Sequence, residues 1–358
     1  MRVAIDTNPL YVTRAGVARY VRGLLQGMDS IQPPDCHLQK LAWEVENLAY
    51  TPPTRALKTA YRELLWARWK APKKLFSWDS DVLHSTAGWL ITPPGMVRHV
   101  VTLHDLALLR HPERFRRWQR TAGVWRLQKL ADADHVLCVS QFTADEAMCL
   151  LNLPASKISV VHNGCDDLVD EHSPSVERAG KASSDFFLFV GSLEPGKNLA
   201  LLREVWAAAA VDGQRLPPLL IAGARWVGVP GEGPPPADWH YLGHVPDAEL
   251  ARLYRQTLAL VFPSKYEGFG LPVLEAMRCG CPVICSRVAS LPEIAGDAAW
   301  WCDLDSGSYL TVLRECASNG PVRRHFALAG PAHAKKFSWA ACAAGTLEAY
   351  RTVMRSGG

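Results

Sequence analysis

The feature that most constrains this chain is a rhythm: short apolar runs alternate with amphipathic stretches along all 358 residues. Continuous apolar runs suit strands covered on both faces, and amphipathic stretches suit the helices that cover them, so the pattern predicts parallel sheets in α/β layers. A first series of strands is expected at "RVAI", "DVLHS", "HVVTLHD", "HVLCVS" and "ISVVHNG". After the first of them, "VARYVRGLLQGM" sets Val17, Tyr20, Val21, Leu24, Leu25 and Met28 at helical spacing, with Arg19 and Arg22 off that face. A second series follows at "FFLFVGS", "PLLIAG", "HYLGHV", "LALVFPS" and "PVICS". Between the two lies "CDDLVDEHSPSVERAGKASS", polar and turn-rich, as a linker would be. A chain of this length exceeds what one core usually supports, so two doubly wound Rossmann-like domains are expected, residues 1–178 and 179–335, with a terminal helix in 336–358. Such sheets take ligands at the carboxyl ends of their strands, so the two domains would face a shared central cleft.

Charge narrows the partners. A formal net charge of +4 is too small for general nucleic-acid affinity, so no nucleic-acid partner is expected, whereas anionic small molecules or an anionic membrane surface fit. The start "MRVAIDTNPL" lacks the order of a signal peptide and no apolar run approaches the roughly 20 residues that span a bilayer, which predicts a cytoplasmic protein. Ten cysteines without short-domain spacing fit a reducing compartment. Cys279, Cys281 and Cys285 lack the C-x2-C pairing of zinc sites and straddle a helix end and a strand, which favours small buried hydrophobes. Three D-x-D triplets, Asp79 to Asp81, Asp132 to Asp134 and Asp303 to Asp305, flank expected strands, where solvated aspartates are common.

The richest segment is "PSKYEGFGLPVLEAMRCGCPVICS". It reads as the end of a strand, a turn, a helix with Pro272 near its first position and Gly280 as its stop, and the next strand. Gly268 and Gly270 let backbone N–H groups approach a ligand where the helix dipole favours negative charge, a phosphate cradle. Glu267 and Glu275 stand on either side, and carboxylates accept hydrogen bonds from vicinal hydroxyls. A sugar at one end of a diphosphate and a ribose at the other would satisfy that spacing. The alternative is structural: Glu267 caps the helix and Glu275 faces solvent.

Taken whole, "PSKYEGFGLPVLEAMRCGCPVICSRVASLPEIAGDAA" resembles the signature of family 4 glycosyltransferases, retaining enzymes of the two-domain GT-B fold. "GVARYVRGLL", "TLHDLALL", "VSQFTADE", "VHNGCDD" and "VGSLEPGKN" agree with other segments of that family, and the resemblance covers essentially the whole chain. It implies the following roles. Glu267 contacts the donor sugar and Glu275 the ribose; Gly268, Phe269, Gly270 and Leu271 face the phosphates. Lys197 pairs with the diphosphate near the leaving group, in the loop that begins at Ser192. His104 approaches the donor sugar, Asp105 positions the loop or the acceptor, and Gly16 lets the first loop pass close to the phosphate. His244 and Val245, in "YLGHV", lie where the base is selected. The terminal helix crosses back to the first domain.

One residue departs from the family pattern: the usual loop reads "EPRKN", and this chain has Gly196 in place of the arginine. Arg225 in "IAGARW" is the candidate to replace that charge. The resemblance further implies sugar transfer from a nucleoside diphosphate with retained configuration, no covalent nucleophile, no cofactor and no required metal. GDP-mannose is the leading donor, with UDP- and dTDP-sugars as alternatives. The acceptor is expected to be a saccharide, polyprenyl-diphosphate-linked if the basic and aromatic segments "RALKTAYRELLWARWKAPKK" and "RHPERFRRWQRTAGVWRLQK" lie on the inner membrane. Their apolar residues could equally pack inside. An NAD(P) oxidoreductase is disfavoured because no G-x-G-x-x-G follows the first strand. A phosphorylase is disfavoured for want of a pyridoxal-phosphate lysine context. A non-catalytic nucleotide-sugar-binding protein stays open because of Gly196.

Overall fold

The computed structural model describes residues 1–12, 16–43, 54–88, 91–115, 117–166, 185–224 and 236–355. They form two compact units, Met1–Gly164 with Ser338–Gly358, and Cys165–Phe337. The expected boundary at 178 lies outside the described residues, as does Arg225. The units divide at Gly164, earlier than the polar linker suggests. Polar composition marks where packing is not needed, whereas Gly164 is the last residue held under the terminal helix: a Cβ there would meet the Trp339 backbone N at 2.3 Å.

In the first unit, β1 (Arg2–Asp6), β2 (His37–Leu41), β3 (Val82–Ser85), β4 (Arg98–Leu103), β5 (His135–Cys138) and β6 (Ile158–Val160) form one parallel sheet in the order β2-β1-β3-β4-β5-β6. Helix Gly16–Ile31 buries Tyr20, Val21, Leu24 and Met28, the face that its spacing predicts. The helix Trp339–Arg355 packs on it. Trp339 sits where a Cβ on Gly23 would lie 2.0 Å from the indole and one on Gly27 2.1 Å from the Trp339 carbonyl, so only glycine permits this approach. Beneath them runs a buried polar chain: Tyr20 Oη and Thr102 Oγ1 are 2.9 Å apart, Thr102 Oγ1 lies 2.7 Å from His84 Nε2, and His84 Nδ1 lies 2.7 Å from Tyr350 Oη. Burial drives His84 down to about 3, so the ring is neutral and hydrogen-bonded on both sides.

The second unit holds β7 (Phe187–Val190), β8 (Leu219–Ala222), β9 (Trp239–Gly243), β10 (Leu260–Phe262), β11 (Val283–Ser286) and β12 (Trp300–Cys302), all parallel, in the order β12-β11-β10-β7-β8-β9. Its core gathers Phe187, Phe189, Leu202, Trp206, Ile221 and Tyr309. Strand order reverses between β1 and β3 in the first sheet and between β7 and β10 in the second. Those two switch points are where open parallel sheets leave a crevice at their carboxyl edge. The apolar runs found ten of the twelve strands and missed β2 and β12. Both are edge strands: "HLQKL" is polar and mostly accessible, and "WWC" is three residues long.

Two segments depart from simple amphipathic packing. Tyr61–Lys70 is a π-helix between helices Thr54–Ala60 and Ala71–Ser77. On it Trp66 is buried, but Leu64, Leu65 and Trp69 are exposed, Trp69 at 65%. Phe76 on the helix that follows is exposed too, as are Trp118 and Trp125 on helix Arg117–Gln128. Arg126 reaches Glu63 at 2.9 Å and sets the two segments side by side. The expectation that their apolar residues pack inside therefore holds for Trp66, Ala67 and Ala71 and fails for Leu57, Leu64, Leu65, Trp69, Trp118 and Trp125, while Phe76 lies just beyond the first segment.

Candidate functional site

At the β7/β10 switch point the loop after β7 and the loop after β10 meet. Glu194 is buried and its Oε2 accepts from Gly196 N at 2.7 Å, folding "EPGK" into a tight turn. The Gly196 carbonyl then accepts from Lys265 N at 2.9 Å, locking this turn to the "SKYEGFG" loop. Their junction brings Lys197 Nζ into an ion pair with Glu267 Oε1, both side chains largely shielded at 16% and 11% exposure. Lys197 Nζ also sits 5.3 Å from the Phe262 ring centroid. A cation and a carboxylate at so low an exposure interact more strongly than they would in water, and an anion bound there would compete for the cation.

The turn leading into helix Leu271–Arg278 is held from outside by Ser290, whose Oγ lies 2.9 Å from the Glu267 carbonyl and 3.0 Å from the Phe269 carbonyl. Gly270 takes φ +103°, and a Cβ would meet Leu291 Cδ2 at 2.7 Å, so glycine is required there. Gly268 and Phe269 are buried beside it, and Leu271 opens the helix, in which Pro272 has no N–H and Val273 N donates to the Gly270 carbonyl at 3.0 Å. Glu275 is 2% exposed and accepts from Tyr254 Oη at 3.3 Å, which overturns the alternative of a solvent-facing helix residue. Gly196 is buried within the turn and supplies backbone only. Ser192 follows β7 and is half-buried; His244, after β9, is exposed and Val245 half-buried.

In the first unit His104 follows β4. Its Nε2 donates to the Thr86 carbonyl at 2.8 Å once the ring is neutral, and burial lowers its pKa, so Nδ1 is left as an acceptor. Tyr20 packs edge-on against the ring at 4.9 Å between centroids. Asp105 Oδ1 accepts from Ala107 N at 2.9 Å and caps the turn that follows. Gly16 is exposed and opens helix Gly16–Ile31. Sequence reasoning missed Glu194, Ser290 and Thr86. Each acts by holding backbone, and only Glu194 carried a signal, as the first residue of the "EPGK" turn.

The D-x-D triplets are used locally. Asp79 pairs with Arg2, Asp81 accepts from Arg2 N, Asp132 pairs with Lys129, Asp134 with Arg98, and Asp305 caps the helix Ser306–Ser318 through Ser308 N. Cys281 and Cys285 are buried and Cys279 half-buried, and burial pushes the Cys279 thiol up to about 11. Among the described residues no three His, Cys, Asp or Glu side chains gather as metal ligands would, and no helix is long and apolar enough to cross a membrane.

Comparison with known proteins agrees with this fold. The family described as "Glycosyl transferases group 1" matches residues 175–307, and "Glycosyltransferase Family 4" matches residues 15–167. O-antigen chain mannosyltransferase B of Escherichia coli is 33% identical over 280 residues, 73% of this chain and 72% of that protein. D-inositol 3-phosphate glycosyltransferase of Segniliparus rotundus is 32% identical, over 78% of this chain and 68% of that one. Among solved structures, sucrose-phosphate synthase from Thermosynechococcus elongatus superposes with a TM-score of 0.74 at 18% identity, covering 100% of both chains. With two parallel six-stranded sheets of the GT-B type, and loops that meet at a switch point around a lysine–glutamate pair, the chain belongs to the family 4 glycosyltransferases.

Proposed function

We propose that this glycosyltransferase moves mannose from GDP-mannose to a saccharide hydroxyl with retained anomeric configuration and without a divalent metal. The observation that carries the reading is the Lys197–Glu267 pair, set between the "EPGK" turn and the first turn of helix Leu271–Arg278. A donor diphosphate there competes with Glu267 for Lys197, and the carboxylate so released accepts from the sugar hydroxyls. Lys197 then stabilises the charge that grows on the leaving phosphate, worth about 3 kcal/mol for a well-placed donor. Glu275 would take the ribose hydroxyls. No side chain is required as a covalent nucleophile in this scheme: the leaving phosphate takes the acceptor proton.

Mannose as the sugar is supported by the likeness to the O-antigen mannosyltransferase of Escherichia coli. The likeness to D-inositol 3-phosphate glycosyltransferases supports a second reading, a phosphorylated cyclitol as acceptor. A lipid-linked acceptor at the inner membrane is supported by the exposed Leu64, Leu65, Trp69, Phe76, Trp118 and Trp125, interleaved with Arg68, Lys70, Lys73, Lys74 and Arg117. The test is a thermal-shift panel of GDP, UDP, dTDP and ADP with their sugars, followed by NMR of the product anomer. Stabilisation by GDP-mannose and an α-linked product, unaffected by chelator, is expected. Selective stabilisation by another base, an inverted product, or activity that chelator abolishes and magnesium or manganese restores would overturn the corresponding part.

A further inference from the structure

The two partners of the Lys197–Glu267 pair are held differently. Lys197 is packed along its length. Its backbone N donates to the Glu194 carbonyl at 3.0 Å inside the "EPGK" turn, and its side-chain carbons run past Gly191, where a Cβ would lie 3.7 Å from Cδ and Cε. The ammonium then rests 5.3 Å from the ring centroid of Phe262, a side chain with no exposed surface. Glu267 is held by its backbone. Ser290 Oγ donates to its carbonyl at 2.9 Å, but among the described residues Lys197 is the one hydrogen-bond partner of its carboxylate. The carboxylate is therefore the part that can turn away, while the ammonium stays where the turn and the ring put it.

This asymmetry bears on how a product leaves. A nucleoside diphosphate departing from Lys197 would strand an ammonium whose side chain is only 16% exposed, and an unpaired charge so shielded from water is costly. With Glu267 at hand the ammonium is never stranded, because its bonds to phosphate are exchanged for a bond to a carboxylate within one site. The carboxylate is tethered there, so its effective concentration does not depend on what is dissolved around the protein. Gly196 favours the same exchange. The turn brings no arginine to keep hold of the phosphate while Lys197 changes partner, since Gly196 supplies backbone alone.

We propose that Glu267 displaces the product: its carboxylate returns to Lys197 as the nucleoside diphosphate leaves, and so keeps the product weakly bound. The proposal rests on the reading of the β7/β10 edge as the donor site and adds the release step to it.

The test is isothermal titration with GDP, UDP, dTDP and ADP, and stopped-flow release of the one that binds, on the wild type, Glu267→Gln, Lys197→Met and the double variant. These ligands carry no sugar, so a lost contact between Glu267 and a sugar cannot enter the result. Glu267→Gln is expected to bind the nucleotide about tenfold more tightly than the wild type, mainly through slower release. In the Lys197→Met background the same substitution should change affinity by less than about twofold. Glu267→Ala, which also leaves Lys197 without its carboxylate, should tighten binding in the same sense. Equal or weaker binding by Glu267→Gln and Glu267→Ala, with the wild type still binding, would overturn the proposal and leave the donor reading standing. Equal tightening with and without Lys197 would overturn it too, because the cause would then be the loss of a negative charge and not of the pair. Binding of none of the four nucleotides by any of the proteins would remove the donor reading and the proposal together.

Discussion

The two carboxyl edges solve the same problem with different materials. The edge of the second unit is built mainly from backbone: a turn locked by Glu194, a glycine at φ +103°, the start of a helix, and one ion pair exposed to competition. The edge of the first unit is built from buried side chains kept in unfavourable or neutral protonation states, Asp6, His84 and His104 among them. Backbone cradles suit a constant part of a substrate such as a diphosphate, because N–H groups and a helix end read charge without reading identity. Side-chain pockets suit a variable part, since each group can be exchanged without disturbing the turn that carries it.

The largest effect should come from cutting the second edge. Lys197→Ala or Glu267→Ala is expected to lower kcat by about 100-fold to 1,000-fold with little change in the urea midpoint, as for removal of one transition-state donor. A loss under threefold would show that the ion pair is structural and that the diphosphate sits elsewhere.

Acid should separate the two units next. Burial holds His84 at about 3 and His99 at about 4, below their ordinary 6.5, and His135 shifts the same way. Stability from keeping such a ring neutral is complete above pH 6.5 and is lost as pH falls toward the folded value, at about 1.4 kcal/mol per pH unit for each group. Asp6 works in the opposite sense. Its stabilising proton is gained in the fold below about 6, which offsets one histidine between pH 6 and 4. His84 and His99 then leave a net loss of about 1.4 kcal/mol per unit in that window. Among the described residues the second unit buries no histidine. Pulse-labelled hydrogen exchange after incubation between pH 4.5 and 7 should therefore open the first unit first. Earlier opening of the second would break the comparison.

A packing change sharpens it further. Gly27→Val forces a side chain against the Trp339 backbone and is expected to destabilise the first unit by about 1 to 3 kcal/mol, read from urea titration of tryptophan fluorescence. A change below about 0.5 kcal/mol would mean that helix Trp339–Arg355 contributes little to the first core. The smallest effect should be a gain: Gly196→Arg adds a second cation beside Lys197 and is expected to tighten GDP-mannose by about tenfold, or 1.4 kcal/mol. Unchanged affinity would show that this turn does not face the phosphates.

The same contrast explains what the sequence reveals. A backbone cradle needs glycine, proline and a helix start at fixed offsets, so "YEGFGLPVLEAM" announces itself and its two glutamates. A side-chain cluster assembles residues distant along the chain: Asp6 in "IDTNPL" reads as an ordinary turn residue until the fold brings Thr86 to its carbonyl. Central strands are legible because both faces are buried, while β2 is hidden because an edge strand tolerates His37, Gln39 and Lys40. The π-helix is illegible for another reason. Its residues have ordinary helical propensities, and nothing in their spacing distinguishes π from α winding.

The most direct test of the account is a hydrogen-exchange footprint of GDP-mannose. Slowed exchange confined mainly to residues 192–199 and 265–275 is expected. Protection absent from both segments, with the donor demonstrably bound, would contradict the assignment of the β7/β10 switch point as the donor site.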